Sequence, residues 1–105
     1  MKKNKYIIQY STSFNKELVE ILSYLSNDLN NPKAAKRLIY ELENKLKIII
    51  CFPKIFPYKI YNDVVMYKFN IQNYSIYYSI QDYTINVNHI FYSKRNLSDL
   101  LNSIK

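Results

Sequence analysis

Apolar residues recur at two spacings along this chain, first helical and then alternating. Tyr6-Ile7-Ile8-Gln9-Tyr10 opens with β-branched and aromatic residues that suit a pleated, half-buried backbone and predict a short strand. Ser11, Thr12 and Ser13 follow with hydroxyls able to cap a helix N-terminus. Phe14, Leu18, Ile21, Leu22, Leu25 and Leu29 then fall three and four residues apart, giving one apolar helix face, with Glu17 early enough to favour the positive end of the helix dipole. Asn30-Asn31-Pro32 predicts a stop and a restart: Asn tolerates left-handed backbone, Asn31 can cap, and Pro32 suits a first turn. A second helix turns Ala35, Leu38, Ile39, Leu42, Leu46 and Ile49 inward and Lys36, Arg37, Glu41, Glu43, Lys45 and Lys47 towards water. Pro53 and Pro57 predict an irregular connection.

After Tyr61-Asn62-Asp63 the spacing falls to two. Val65, Tyr67, Phe69 and Ile71 share one strand face, with Lys68 and Asn70 on the other. Gln72-Asn73 provides a turn, and Tyr74, Ile76, Tyr78 and Ile80 alternate with Ser75, Tyr77 and Ser79. Past Asp82-Tyr83, strict alternation puts Ile85, Val87, His89 and Phe91 on the apolar side, opposite Thr84, Asn86, Asn88, Ile90 and Tyr92. By that parity His89 is a core histidine and Tyr74 and Tyr78 face the core, whereas Tyr77 and Tyr92 remain open as stacking partners for bases on the sheet. Ser93-Lys94-Arg95-Asn96 break the pattern, and Leu97, Leu100, Leu101 and Ile104 have the spacing of a short C-terminal helix. The expected fold class is α+β in the order β-α-α-β-β-β. It is an antiparallel sheet with a helical hairpin packed on one face and a short C-terminal helix, a single domain over residues 1–105. The first strand must join the three-stranded meander, because alone it cannot satisfy its backbone groups.

Composition narrows the chemistry. The sequence has no Gly, which removes phosphate loops, dinucleotide fingerprints and nucleophile elbows. One His and one Cys, Cys51, build neither a zinc site nor an internal disulfide, so no metal and no cofactor are expected, and Cys51 reads as a small buried hydrophobe. A reducing, cytoplasmic compartment fits best, without a secretory leader or a membrane-spanning run. A formal charge of +7 favours an acidic partner such as nucleic acid or an acidic protein.

The element order, the Pro after a long second helix and two strand motifs resemble the RelE/ParE superfamily of toxins. A strand pattern N-Y-x-I-x-Y is met by Asn73, Tyr74, Ile76 and Tyr78, and the last strand runs through Val87, Ile90 and Phe91 to Arg95. The likeness covers nearly the whole chain. It implies a small toxin held inactive by a cognate antitoxin in a toxin–antitoxin hetero-oligomer. One branch of the superfamily cuts messenger RNA on the ribosome; another inhibits DNA gyrase on the same scaffold. If this chain is a ribonuclease, the resemblance makes Lys68, Arg95 and Tyr92 the catalytic candidates, with Lys94 beside them. Lys68, Tyr77, Tyr92, Lys94 and Arg95 are the expected target-binding residues in either case. Ser75 stands where the ribonuclease branch usually has Arg, and Leu101 where it can have Tyr. Metal-free RNA cleavage must stabilise a charged phosphorane and move two protons, so these departures favour the gyrase-directed, non-enzymatic branch. The remaining alternative is a non-toxic nucleic-acid or protein-binding domain.

Overall fold

The computed structural model describes residues 5–93. Strand β1 (Ile7–Tyr10) leads into helix α1 (Thr12–Ser23), a π-helical turn (Tyr24–Asp28), helix α2 (Pro32–Cys51), and strands β2 (Tyr58–Tyr61), β3 (Val64–Ile71), β4 (Tyr74–Gln81) and β5 (Thr84–Tyr92). The five strands form one sheet in the order β1-β5-β4-β3-β2. The class is α+β as expected. The expected C-terminal helix lies outside the described residues.

Both helix starts follow from their caps. Ser11 Oγ accepts the Phe14 N–H at 2.9 Å, and Asn31 Oδ1 accepts the Ala34 N–H at 3.2 Å with Pro32 beginning the helix. Without Gly, the tight reversals fall to residues that tolerate left-handed backbone: Asn30, Asn62, Asp63, Gln72 and Asp82 all have φ between 50° and 67°. The buried helix positions Phe14, Leu38, Leu42, Leu46 and Ile49 pack on Tyr67, Phe69, Ile76, Tyr78, Ile85, Val87 and Ile90, so each apolar stripe leaves water against the other.

Several expectations need correction. The sheet is mixed, because β1 runs parallel to β5 with Ile7 beside Thr84 and Tyr10 beside Val87, while the other pairings are antiparallel. The connection after α2 contains a further strand: Asn62-Asp63 is the two-residue loop of a hairpin whose closing pair is Tyr61 and Val64. The meander therefore has four strands. Leu29 is 52% exposed, since an i→i+5 bond from Leu29 N–H to Tyr24 O adds a residue to the last turn and swings Leu29 off the apolar stripe. Val65, opposite Ile60 on the edge strand, is exposed. Cys51 is exposed rather than buried, as two residues beyond the core residue Ile49 a helix has turned about 200°.

Candidate functional site

The β4–β5 pairing holds the feature that shapes the site. Tyr78 pairs with Val87 and Tyr77 with His89, so Asn88 is an extra residue, a β-bulge in β5. Beyond it the alternation shifts by one: Ile90 enters the core at 1% exposure, and His89 and Phe91 turn to the face away from the helices. The expectation of a core histidine is thus overturned, and the extra residue is the reason. Asn88 itself donates from Nδ2 to Ser79 Oγ at 3.0 Å and to Met66 Sδ at 3.4 Å.

The bulge lies where β1 ends, so from Asn88 onward the outer edge of β5 has no strand beside it. Helix α1 takes over. Ser11 N–H donates to Val87 O at 3.0 Å, Ser11 Oγ to Asn88 O at 2.7 Å, and Glu17 Oε1 accepts the Ile90 N–H at 3.0 Å. The other oxygen of Glu17 meets His89 Nδ1 at 3.1 Å, which the Nδ1–H tautomer donates, and the imidazole stacks on Phe91 with centroids 5.0 Å apart. One carboxylate therefore anchors an edge amide and orients a ring. Glu17→Ala leaves both unpartnered in a half-exposed place where water compensates in part, so a loss of about 1–2 kcal/mol is expected. Hydrogen exchange read at the Ile90 amide should show it as faster opening there than at Val87.

The far face of the sheet is built in rows across the strands. Lys59 and Met66 lead to Ser79; Lys68 and Tyr77 lead to His89; Asn70 and Ser75 lead to Phe91. Lys68 is exposed, as a residue that meets a target must be. Tyr77 is only 2% exposed and its ring lies 6.1 Å from that of Phe91, so the middle of the row is closed. Ser75 is fully buried, its hydroxyl donating to Asn70 Oδ1 at 2.8 Å with Ser93 Oγ 3.3 Å away.

Tyr92 stands on the opposite face from Lys68. Its partner in β4 is Tyr74, which shares the core side, and the two rings meet edge-on at 6.0 Å. Both line an open groove of about 810 Å³ between α1, the π-helical turn and the ends of β4 and β5, with Glu20, Tyr24 and Leu29 at its walls. Burial, then the Tyr92 and Tyr24 phenols, raise the Tyr74 hydroxyl above the usual phenol range and keep it a neutral donor. Lys94 and Arg95 lie outside the described residues. The structure thus puts Lys68 and Tyr77 on one face and Tyr92 on the other.

The sequence reading gives Glu17 only a helix-dipole role and Asn88 only a strand face, yet both left a signal of more. Glu17 lies three residues after Phe14 and four before Ile21, on the apolar side of α1, where a carboxylate needs a partner. Strict alternation in β5 put an Ile on the wet side and a His on the dry side, and one inserted residue removes both conflicts.

A helical hairpin on a curled, largely antiparallel sheet, with β1 returning beside the last strand, defines the class of small α+β proteins to which the RelE/ParE resemblance points. A comparison of the sequence with family models matches residues 8–97 to the ParE toxin of type II toxin-antitoxin system, parDE. The chain belongs to this family of type II toxins. Among solved structures it is similar to a chain of the chromosomal ParDE TA system from P. aeruginosa, with a TM-score of 0.67 at 12% identity, covering 86% of this chain and 98% of that one. At that identity the likeness speaks for the fold alone. Comparison with curated proteins gives no significant match.

Proposed function

We propose that the chain arrests growth by inhibiting DNA gyrase in the cytoplasm, without cutting RNA, and that a cognate antitoxin encoded beside it neutralises it in a hetero-oligomer. The observation that carries the non-cleaving reading is the separation of Lys68 from Tyr92 by the thickness of the sheet. A cation and a proton donor on opposite faces do not serve one phosphate, and the place of the missing Arg is taken by a buried Ser75. One observation favours the ribosome-dependent endoribonuclease instead: the bulge brings His89 to the face that bears Lys68. Between them, however, stands the closed position Tyr77. In the gyrase reading Lys68 contacts the target from that face, and Lys94 and Arg95 are further target contacts.

Induction of the chain in a bacterium tests this. The expected result is growth arrest with plasmid supercoiling lost and transcript ends unchanged. Codon-register cleavage of messages with supercoiling intact would overturn the gyrase reading, and unimpaired growth would overturn both.

A further inference from the structure

The outer face of α2 is a second surface, remote from the sheet, and we infer that it holds a nucleic-acid phosphate backbone. The inference stands apart from the choice of gyrase or ribosome as target. The core residues Leu38, Leu42, Leu46 and Ile49 fix which side of α2 is inward. Opposite them Lys33, Lys36, Arg37, Tyr40, Asn44 and Lys47 are all exposed. At 3.6 residues per turn these six fall within about 100° of arc, and at 1.5 Å rise Lys33 and Lys47 stand about 21 Å apart. The result is a straight cationic stripe with a 65% exposed tyrosine at its centre.

Three features make the stripe more than solvated charge. Among the described residues the one ion pair is His89 with Glu17, so the four cations of the stripe have no carboxylate within 4.0 Å to neutralise them. Glu43 flanks the face without pairing, leaving it strongly positive. Of the other carboxylates, Glu41 accepts from Gln72 Nε2 at 3.3 Å, and Asp28 belongs to the π-helical turn.

The residue types select the partner. Lysine is depleted in protein–protein interfaces, whose energy comes from buried aromatic and apolar anchors. Lysine and arginine contacts to phosphate, an amide side chain able to reach phosphate or sugar, and an accessible aromatic ring are what nucleic-acid surfaces use. The ligand chemistry is the phosphodiester chain, which duplex DNA and single-stranded RNA share.

Fluorescence polarisation with a short DNA duplex and a short single-stranded RNA, each titrated with the full chain over a range of salt, tests the inference. The Lys33→Gln/Arg37→Gln double variant should lose roughly tenfold or more in affinity and lower the salt slope by about 1.8 on the duplex or about 1.4 on the single strand. Lys54→Gln/Lys59→Gln removes the same net charge from exposed positions outside the stripe and should change binding several-fold less. Equal losses from the two double variants would mean that net charge alone is at work and would overturn the assignment, as would no loss from the first. Displacement of either nucleic acid by polyglutamate as readily as by unlabelled RNA would overturn it in favour of an acidic protein. The tighter of the two wild-type affinities identifies the source, and a Tyr40→Ala loss confined to RNA adds base stacking to the phosphate contacts.

Discussion

Ile90→Ala is expected to cost about 2–5 kcal/mol of folding stability, and Phe91→Ala less than half as much. Regular alternation along β5 would give the reverse, since it sends Phe91 inward and Ile90 to solvent. The bulge at Asn88 exchanges their roles: Ile90 is 1% exposed within the core, whereas Phe91 is half-buried on the far face against Tyr77 and His89. Truncating Ile90 leaves a gap among close-packed core side chains, which recover only part of the lost contacts. Truncating Phe91 opens a place that water reaches. Urea denaturation of the two variants measures the difference directly. Because small folded proteins hold only about 5–15 kcal/mol in all, the first variant gives up a large share. Comparable costs, or a larger one for Phe91→Ala, would show β5 to be unbulged.

Tyr78→Ala should be about as damaging, at about 3–5 kcal/mol, while Tyr78→Phe should cost about 1 kcal/mol. The ring is completely buried, stacked on Tyr67 at 5.1 Å and tilted towards Phe69 at 6.1 Å, so its deletion removes the centre of the sheet's inner face. Its hydroxyl donates to Pro53 O at 2.7 Å and ties the segment after α2 to the sheet. Burial, with Tyr67 second, pushes the ionisation of this phenol far above its usual range. The sign of the pH dependence follows. Above about pH 10 the unfolded phenol loses its proton while the folded one keeps it, so stability falls as pH rises. Denaturation between neutral and alkaline pH should show that fall, and Tyr78→Phe should flatten it.

How much of this was legible in the sequence depends on how many residues carried each signal. Helices α1 and α2 were clear because five or six apolar positions agree on one face and Ser11 and Asn31 mark their starts. Strands β3 and β4 were clear for the same reason, with period two. Strand β2 has only four residues between Pro57 and Asn62, too few for alternation to outweigh the two prolines, Pro53 and Pro57, that precede it. The parallel return of β1 depends on strand partners far apart in sequence, which no local pattern encodes. At the candidate site, Lys68 was read on its proper face because β3 is regular. His89 was not, because a single unpaired residue reverses every later side chain. Tyr77 and Tyr92, both expected to face a target, are parted by that same reversal, since Tyr77 lies on the regular strand β4 and Tyr92 follows the bulge in β5.

The parallel pairing of β1 with β5 also governs when the molecule can complete itself. Ile7 meets Thr84, so the first strand to leave the ribosome waits, unpaired, for nearly eighty further residues to be synthesised before its edge is covered. Helices and the β2–β3–β4 meander can form during that interval from near neighbours, but the closing of the sheet, and the clasp of Ser11 and Glu17 on β5, belong to the end. A chain cut short before Thr84 therefore lacks the partner of β1 and the strand that Ser11 and Glu17 hold, and cannot close its sheet.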